Sequence, residues 1–169
     1  FGGYAQYVCR KQTELLHAPG SVSFEKLACL LWSYSTVWHM AIDRGRLQAG
    51  QQVLITAASG GMGTAAIQIA RLAGAASIFA VTGSAKKVAP LLQLGATHVL
   101  NHRGEDLPSR IMALTQGRGV DLNLPPDPAE LERVPLNGLT PVIMEITPVT
   151  NVFLLLGLEA NPPRKMAQS

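Results

Sequence analysis

Charged residues are scarce in this 169-residue chain: Lys, Arg, Asp and Glu together make up 15% of it, whereas hydrophobic residues make up 47%. This balance is typical of a folded globular domain and not of a disordered segment. The net charge is only +3, and the sequence has no lysine–arginine tract and no basic patch interleaved with aromatic residues. We therefore expect no nucleic-acid partner.

Cysteine is rarer still, with only Cys9 and Cys29 in the chain. The two form no Cys-x-x-Cys pair and indicate no disulfide framework, which favours a reduced, cytoplasmic setting. No pair of histidines has the spacing typical of metal ligands, so we expect no metal.

Long apolar runs are also absent. The longest uncharged apolar stretch, residues 27–42, is shorter than a membrane span and contains polar residues, and no signal peptide is visible. We therefore expect no membrane partner. The chain begins at Phe1 and not at Met, so we expect its natural N-terminus to lie elsewhere.

A β-rich run, a glycine turn and an alanine-rich helical pattern follow one another over residues 53–74. Ala58, Gly60 and Gly63 have the spacing of the dinucleotide fingerprint, with alanine in the first glycine position. Gly60 would let a pyrophosphate approach the backbone, Gly63 would let the helix pack closely on the strand, and the free N–H groups of the helix would face the phosphates. The stretch predicts a nucleotide cofactor; the alternative is a plain strand–helix turn in an unrelated α/β domain.

Strand and helix patterns alternate from this stretch onward, which predicts an α/β fold with a doubly wound parallel sheet of the Rossmann type. The predicted strands are residues 53–57, 77–82, 98–100 and 120–124, and the predicted helices are residues 62–73, 85–94 and 105–115. Upstream we expect a strand over residues 3–10 and two helices, over residues 23–31 and 35–46. After Leu124 the regularity fails, and residues 142–147 and 152–156 are two further candidate strands.

No Asp or Glu occurs over residues 64–104, although enzymes that prefer NAD carry an acid about 20 residues after the glycine turn. Lys86 and Lys87 follow the second strand instead. Because lysines and hydroxyls attract a 2′-phosphate that a carboxylate would repel, the sequence predicts NADPH. His102, which follows the third strand at the same edge of the sheet, could flank the same phosphate. The alternatives are a solvated lysine face and an exposed loop histidine.

No catalytic constellation is visible in the sequence. There is no glycine-flanked serine of a nucleophile elbow, and Asp121 and Glu145 are isolated acids. A hydride transfer needs a positioned cofactor more than a protein nucleophile, so the catalytic residues stay unassigned.

Five motifs, at residues 1–8, 44–50, 57–68, 94–101 and 117–121, together resemble the medium-chain dehydrogenase/reductases. More narrowly, they resemble the zinc-independent quinone oxidoreductase and enoyl reductase branch. The zinc-dependent branch has a cysteine ligand about four residues before a threonine that matches Thr36, and here Trp32 and Ser33 occupy that neighbourhood.

The resemblance implies three regions and a set of cofactor contacts. Residues 1–22 would end a catalytic, GroES-like domain, residues 23–124 would form the dinucleotide-binding domain, and residues 125–169 would be a divergent C-terminal segment that includes remaining sheet strands. The pyrophosphate would be cradled by Gly60, Gly61, Met62 and Gly63. The nicotinamide would lie beside Thr36, and the 2′-phosphate would contact Ser84 and Lys87. His102 stands where many relatives carry a tyrosine near that phosphate.

We therefore expect an NADPH-dependent oxidoreductase that transfers hydride to a small-molecule substrate, either a quinone or an activated enoyl or enone double bond. Two alternatives stay open: a non-catalytic NADPH-binding or interaction protein, and an enoyl reductase module of a polyketide or fatty-acid synthase. Residues 152–156 could form an edge strand that pairs two copies into a homodimer.

Overall fold

A four-stranded parallel sheet forms the centre of the computed structural model, which describes residues 6–124. The strands are β1 (Gln52–Ile55), β2 (Ser77–Thr82), β3 (His98–Asn101) and β4 (Leu122–Leu124), in the spatial order β3-β2-β1-β4. Helices connect the successive strands, as parallel pairing requires.

The helices lie between the strands and ahead of the first one. A continuous helical run, α1, precedes the sheet and consists of α-helical Phe24–Cys29, π-helical Leu30–Tyr34, α-helical Ser35–Trp38 and π-helical His39–Arg44. The connecting helices are α2 (Gly61–Leu72), α3 (Val88–Leu94) and α4 (Leu107–Leu114). Short 3₁₀ turns occur at Gln12–Glu14 and at Ala85–Lys87, directly before α3.

Apolar side chains of the sheet are buried on both of its faces, which explains why the strand sequences do not alternate between apolar and polar residues. On one face, Val53 and Ile55 pack in the same cluster as buried residues of α1 and α2. On the other face, Leu54 and Phe79 pack with Ile111 of α4. Neighbouring residues of a strand thus serve opposite faces of the sheet.

Two hydrogen bonds, one of them to a carboxylate, join the start of the last described strand to the start of the first. The N–H of Gln52 donates to Asp121 Oδ2 at 2.8 Å, and the N–H of Asp121 donates to the carbonyl of Gln52 at 2.8 Å. These bonds set the register in which Val53 lies beside Leu122.

The strands and helices predicted after residue 52 are confirmed, with ends shifted by up to three residues. The second strand matches the prediction at both ends. Pro90 is the third residue of α3, where a backbone N–H has no partner within the helix and the ring does not break it.

Two upstream predictions are wrong for the described residues. Residues 6–10 belong to no strand, since residues 6–124 offer them no neighbouring strand with which to pair. Residues 23–31 and 35–46 were expected to be separate helices, but the chain runs helically from Phe24 to Arg44 without a break. The hydroxyls of Ser35 and Thr36 donate to carbonyls four residues earlier, so these polar residues are accommodated inside the helix.

The start of α1 has the expected cap residue in a different role. Ser23 has an extended backbone, but its side chain makes no capping hydrogen bond to the helix. The carboxylate of Glu25 instead accepts from a backbone N–H and from the Ser23 hydroxyl, and both contacts hold the pKa of Glu25 below its usual value.

The candidate strands at residues 142–147 and 152–156 lie outside the described residues, as does the edge that would pair a homodimer. Across residues 6–124, every helix is too short or too polar to cross a bilayer.

Candidate nucleotide-binding site

The turn between β1 and α2 is tightly bonded and partly strained. Ala57 has a left-handed backbone, with φ of +42°, and its carbonyl accepts from the N–H of Gly60 at 2.9 Å. The N–H of Ala58 donates to the carbonyl of Val81 in β2 at 3.0 Å. A left-handed conformation is costly for a residue with a Cβ. These hydrogen bonds therefore hold Ala57 in a backbone conformation that an alanine rarely adopts.

Gly63 lies where no side chain fits. A Cβ built on it would come within 2.5 Å of the Ala57 carbonyl oxygen and 2.6 Å of the Ala58 Cα. Both are backbone atoms, so a side chain at this position would push α2 away from the turn. The close helix packing expected of Gly63 is confirmed.

The first N–H groups of α2 make no hydrogen bond to the part of the chain that the structure describes. Thr64 is the first residue of the helix whose N–H finds a backbone acceptor, the Gly60 carbonyl at 2.9 Å. Among the described residues, none accepts from the N–H groups of Gly61, Met62 or Gly63. Free N–H groups at the positive end of a helix dipole form a binding site for an anion such as a pyrophosphate.

A cleft of about 260 Å³ opens beside these N–H groups, between α1, the glycine turn and the end of β4. Its lining is almost entirely apolar: Val37, Met40, Ile55, Thr56, Ala57, Gly60, Gly61, Met62, Gly63, Ala66 and Leu124. An apolar cleft next to a few directed polar groups is the usual form of a cofactor site.

Thr36 does not line this cleft, although its neighbour Val37 does. Its hydroxyl donates to the carbonyl of Trp32 at 2.7 Å, one helical turn earlier in α1. Thr36 therefore lies next to a residue of the cleft wall, and its hydroxyl proton is used within the helix.

Contacts between α1 and α2 fix this wall. The amide nitrogen of Gln68 donates to the Tyr34 hydroxyl at 2.7 Å. A Cβ built on Gly61 would lie 3.6 Å from Ser33 Oγ, so the serine hydroxyl lies at the N-terminus of α2. The sequence showed no signal for either contact, because each joins residues that are far apart in the chain.

Lys87 crosses from the loop after β2 to the glycine turn. Its Nζ donates to Ser59 Oγ at 3.1 Å. Ser84 has an extended backbone at the start of the 3₁₀ turn, and its N–H approaches Thr82 Oγ1 at 3.4 Å. The lysine and the serine expected at a 2′-phosphate thus lie at the same sheet edge as the free N–H groups.

His102 lies against Gly83. A Cβ on Gly83 would be 2.5 Å from His102 Nε2 and 3.1 Å from Arg103 Nε. These side chains reach the loop after β2 because β3 is its neighbour and parallel strands end at the same edge. Gly83 had not been singled out from the sequence, since its role depends on a residue 19 positions away.

Metal ligands do not gather in the described part of the chain. No group of three or more His, Cys, Asp or Glu side chains there is arranged to hold an ion. Cys9 and Cys29 are both free and exposed.

Comparison with known proteins gives a family match over the same region. The family model described as zinc-binding dehydrogenase matches residues 61–124, from the first residue of α2 to the end of β4.

Curated relatives match this chain over a small segment of a much longer protein. A highly reducing polyketide synthase of Arthrinium phaeospermum is 41% identical over 115 residues, which are 66% of this chain and 5% of that protein. A phenolphthiocerol/phthiocerol polyketide synthase of Mycobacterium tuberculosis is 39% identical over 106 residues, or 63% of this chain and 5% of that protein. The chain therefore spans about a twentieth of these relatives.

Solved structures agree with the fold. A structure titled NAD-dependent alcohol dehydrogenase has a TM-score of 0.74 and 32% identity, covering 91% of this chain and 48% of that one. Escherichia coli quinone oxidoreductase complexed with NADPH has a TM-score of 0.59 and 33% identity, covering 62% and 32%. The nucleotide-binding subdomain of a Mycobacterium tuberculosis enoylreductase domain has a TM-score of 0.52 and 41% identity, covering 56% and 52%.

The four-stranded parallel sheet with its connecting helices has the Rossmann-type fold of these nucleotide-binding neighbours. Residues 61–124 thus form a zinc-binding dehydrogenase domain, and the structural neighbours of the chain include quinone oxidoreductases and enoyl reductases of the medium-chain dehydrogenase/reductase family.

Proposed function

We propose that the protein is an NADPH-dependent oxidoreductase that transfers hydride to an activated carbon–carbon double bond or a quinone. The observation that carries this proposal is one sheet edge. There, the free N–H groups opening α2 adjoin a cluster of cations from the loops after β2 and β3.

The glycine turn fits a pyrophosphate in shape and in charge. Gly60 has open space where a side chain would stand, since a Cβ on it would meet only the Ala57 carbonyl at 3.4 Å. The N–H groups of Gly61, Met62 and Gly63 would then donate to the phosphate oxygens. A side chain at position 60 would block this close approach and would weaken the binding of any dinucleotide, with or without a 2′-phosphate.

Ser84, Lys87 and His102 are proposed to bind the 2′-phosphate of the adenosine half. No carboxylate competes for that place, because the chain contains no Asp or Glu between Asp43 and Glu105. A structural neighbour titled as NAD-dependent and another complexed with NADPH both have this fold. The local charge at this edge, and not the fold, is therefore the argument for NADPH.

The apolar cleft beside Thr36 is proposed to hold the nicotinamide half, which supplies the hydride when bound. Val37, Met40 and Met62 would exclude water from that ring. The Thr36 hydroxyl, whose proton is used by the Trp32 carbonyl, retains lone pairs that can accept from the ring's carboxamide. These residues bind and orient, and none of them needs to act as a nucleophile.

The curated relatives favour an enoyl thioester over a quinone as the electron acceptor. The relatives from Arthrinium phaeospermum and Mycobacterium tuberculosis are polyketide synthases, and one similar structure is titled a putative enoyl reductase domain of a polyketide synthase, with 41% identity and a TM-score of 0.52. We propose that the chain serves as such a module, works without zinc and resides in the cytoplasm.

Cofactor binding is the first experiment. Titration of the full-length protein with NADPH and with NADH, followed by the nicotinamide fluorescence, should give the tighter dissociation constant for NADPH. Equal affinities would remove the cofactor preference, and no binding of either would remove the nucleotide site.

Turnover is the second experiment. NADPH oxidation by the full-length protein should be faster with a crotonyl thioester than with a benzoquinone. Faster quinone reduction would reassign the acceptor. Tight NADPH binding without turnover of either compound would support the alternative, a non-catalytic cofactor-binding protein.

A further inference from the structure

We propose that Arg103 is a further residue that determines cofactor specificity, and that its guanidinium binds the 2′-phosphate together with Lys87. This inference rests on the proposed function. Arg103 follows β3, and its Nε lies 3.1 Å from the position of a Cβ on Gly83. The guanidinium therefore lies over the loop that carries Ser84.

The loop after β3 is folded so that it holds Arg103 in this place. The N–H of Arg103 donates to Asn101 Oδ1 at 3.1 Å. The carbonyl of Asn101 accepts from the N–H groups of Gly104 and Glu105, at 3.3 and 3.2 Å. One asparagine at the end of β3 thus anchors the backbone of Arg103 and of the two residues after it.

The nearest acid in the sequence is directed elsewhere. Glu105 accepts from the N–H of Asn101 through Oε1 at 2.9 Å, and its Oε2 lies 3.8 Å from Arg110 Nε. Among the described residues, Arg103 makes no ion pair. Its charge is therefore available to a ligand, and a planar guanidinium with several donors suits a phosphate better than a single ammonium does.

Lys87 lies at the end of the same loop, and its Nζ reaches to Ser59 of the glycine turn. Arg103 and His102 approach it from β3. A 2′-phosphate over the loop would therefore have cations on two sides, a lysine on one and an arginine with a histidine on the other. A guanidinium could also stack on an adenine ring, and the two roles differ in whether they need the phosphate.

The test uses Arg103→Gln, which removes the charge, and Arg103→Lys, which keeps it without the planar fork. Arg118→Gln is the matched control, because Arg118 is exposed in the loop before β4, at the opposite end of the strands. Each full-length variant is titrated with adenosine 2′,5′-bisphosphate and with adenosine 5′-monophosphate, which differ by the 2′-phosphate, and then with NADPH and NADH.

For Arg103→Gln we expect about tenfold weaker binding of the bisphosphate and of NADPH, with little change for the monophosphate and NADH. Arg103→Lys should recover part of this loss, and Arg118→Gln should show none. An equal loss for both members of each pair would mean adenine stacking and would overturn the assignment, as would unchanged binding of all four ligands.

A second variant displaces the cations without changing any charge. Gly83→Ala would force the ends of His102 and Arg103 away from the loop, because these side chains occupy the space of the new methyl group. The binding of NADPH should weaken relative to that of NADH in this variant. An unchanged ratio of the two dissociation constants would contradict the proposed position of the side chains. If the wild-type protein itself does not prefer NADPH, the proposed function fails; if it does and Arg103→Gln keeps that preference, only this inference fails.

Discussion

Gly63 and Gly83 both occupy places where a side chain does not fit, but for different reasons. At Gly63 the space is bounded by backbone, with the Ala57 carbonyl oxygen 2.5 Å from a built Cβ. At Gly83 it is bounded by the ends of side chains, with His102 Nε2 at the same distance. Backbone cannot move without unfolding a turn, whereas a side chain can rotate. We infer that Gly63 serves the fold and Gly83 serves the site.

The largest expected effect is that of Gly63→Ala on stability. The new methyl group would force α2 off the glycine turn, which we expect to cost about 3 kcal/mol of unfolding free energy. Urea denaturation followed by far-UV circular dichroism measures it. Gly61→Ala is the matched control, since its Cβ would meet only Ser33 Oγ at 3.6 Å. A similar loss in both variants would end the distinction between the two kinds of space.

Lys87→Glu tests the loop after β2, which carries Gly83, by reversing a charge there. We expect NADPH to bind roughly ten- to a hundredfold more weakly, because a charge-assisted contact is replaced by repulsion, while NADH changes little. Fluorescence titration measures both constants. Lys86→Glu is the neighbouring control, and a loss as large as that of Lys87→Glu would point to general charge and not to a contact.

Ala57→Gly tests the wall that bounds Gly63. Ala57 has φ of +42°, a conformation that glycine adopts without penalty, so we expect unfolding free energy to rise by roughly 0.5–1 kcal/mol. The urea midpoint should move upward at unchanged slope. A lower midpoint would mean that the flexibility added to the unfolded chain outweighs the strain that is relieved.

The smallest expected effect is the change in unfolding free energy caused by Gly83→Ala. His102 and Arg103 are exposed and can turn toward solvent, so we expect a loss within about 0.5 kcal/mol. The same urea experiment measures it beside Gly63→Ala. A loss comparable to that of Gly63→Ala would show that this loop is as rigid as the glycine turn.

Much of the fold could be predicted because it follows local rules. Short apolar runs, turn residues and helical periodicity placed all four described strands, and residues 77–82 were predicted with both ends correct. Gly63 could be predicted as well, because its role depends on neighbours only a few residues away. The helical run through Ser33–Ser35 could not, since widened π turns and serine–carbonyl bonds carry the helix past residues that usually end one.

The features of the candidate site also fall into those that are local in the sequence and those that join distant stretches. Spacing within one stretch identified the glycine turn, and the missing acids indicated the cofactor preference. Contacts between stretches were not visible: Lys87 with Ser59, and Gly83 with His102. Such contacts depend on which strand ends meet at one edge, and a pattern along the chain does not contain that information. The ligand roles of these residues stay predictions until the titrations are made.

The bonds between Gln52 and Asp121 have a consequence for how the chain folds. They join residues 69 positions apart, whereas each strand–helix–strand unit between them closes over a shorter stretch. Because the entropic cost of closing a loop grows with its length, the units from β1 to β3 should form before β4 docks. The amide protons of Gln52 and Asp121 would then be protected last during refolding and together, and pulsed hydrogen exchange could follow the final closure of the sheet at these two amides.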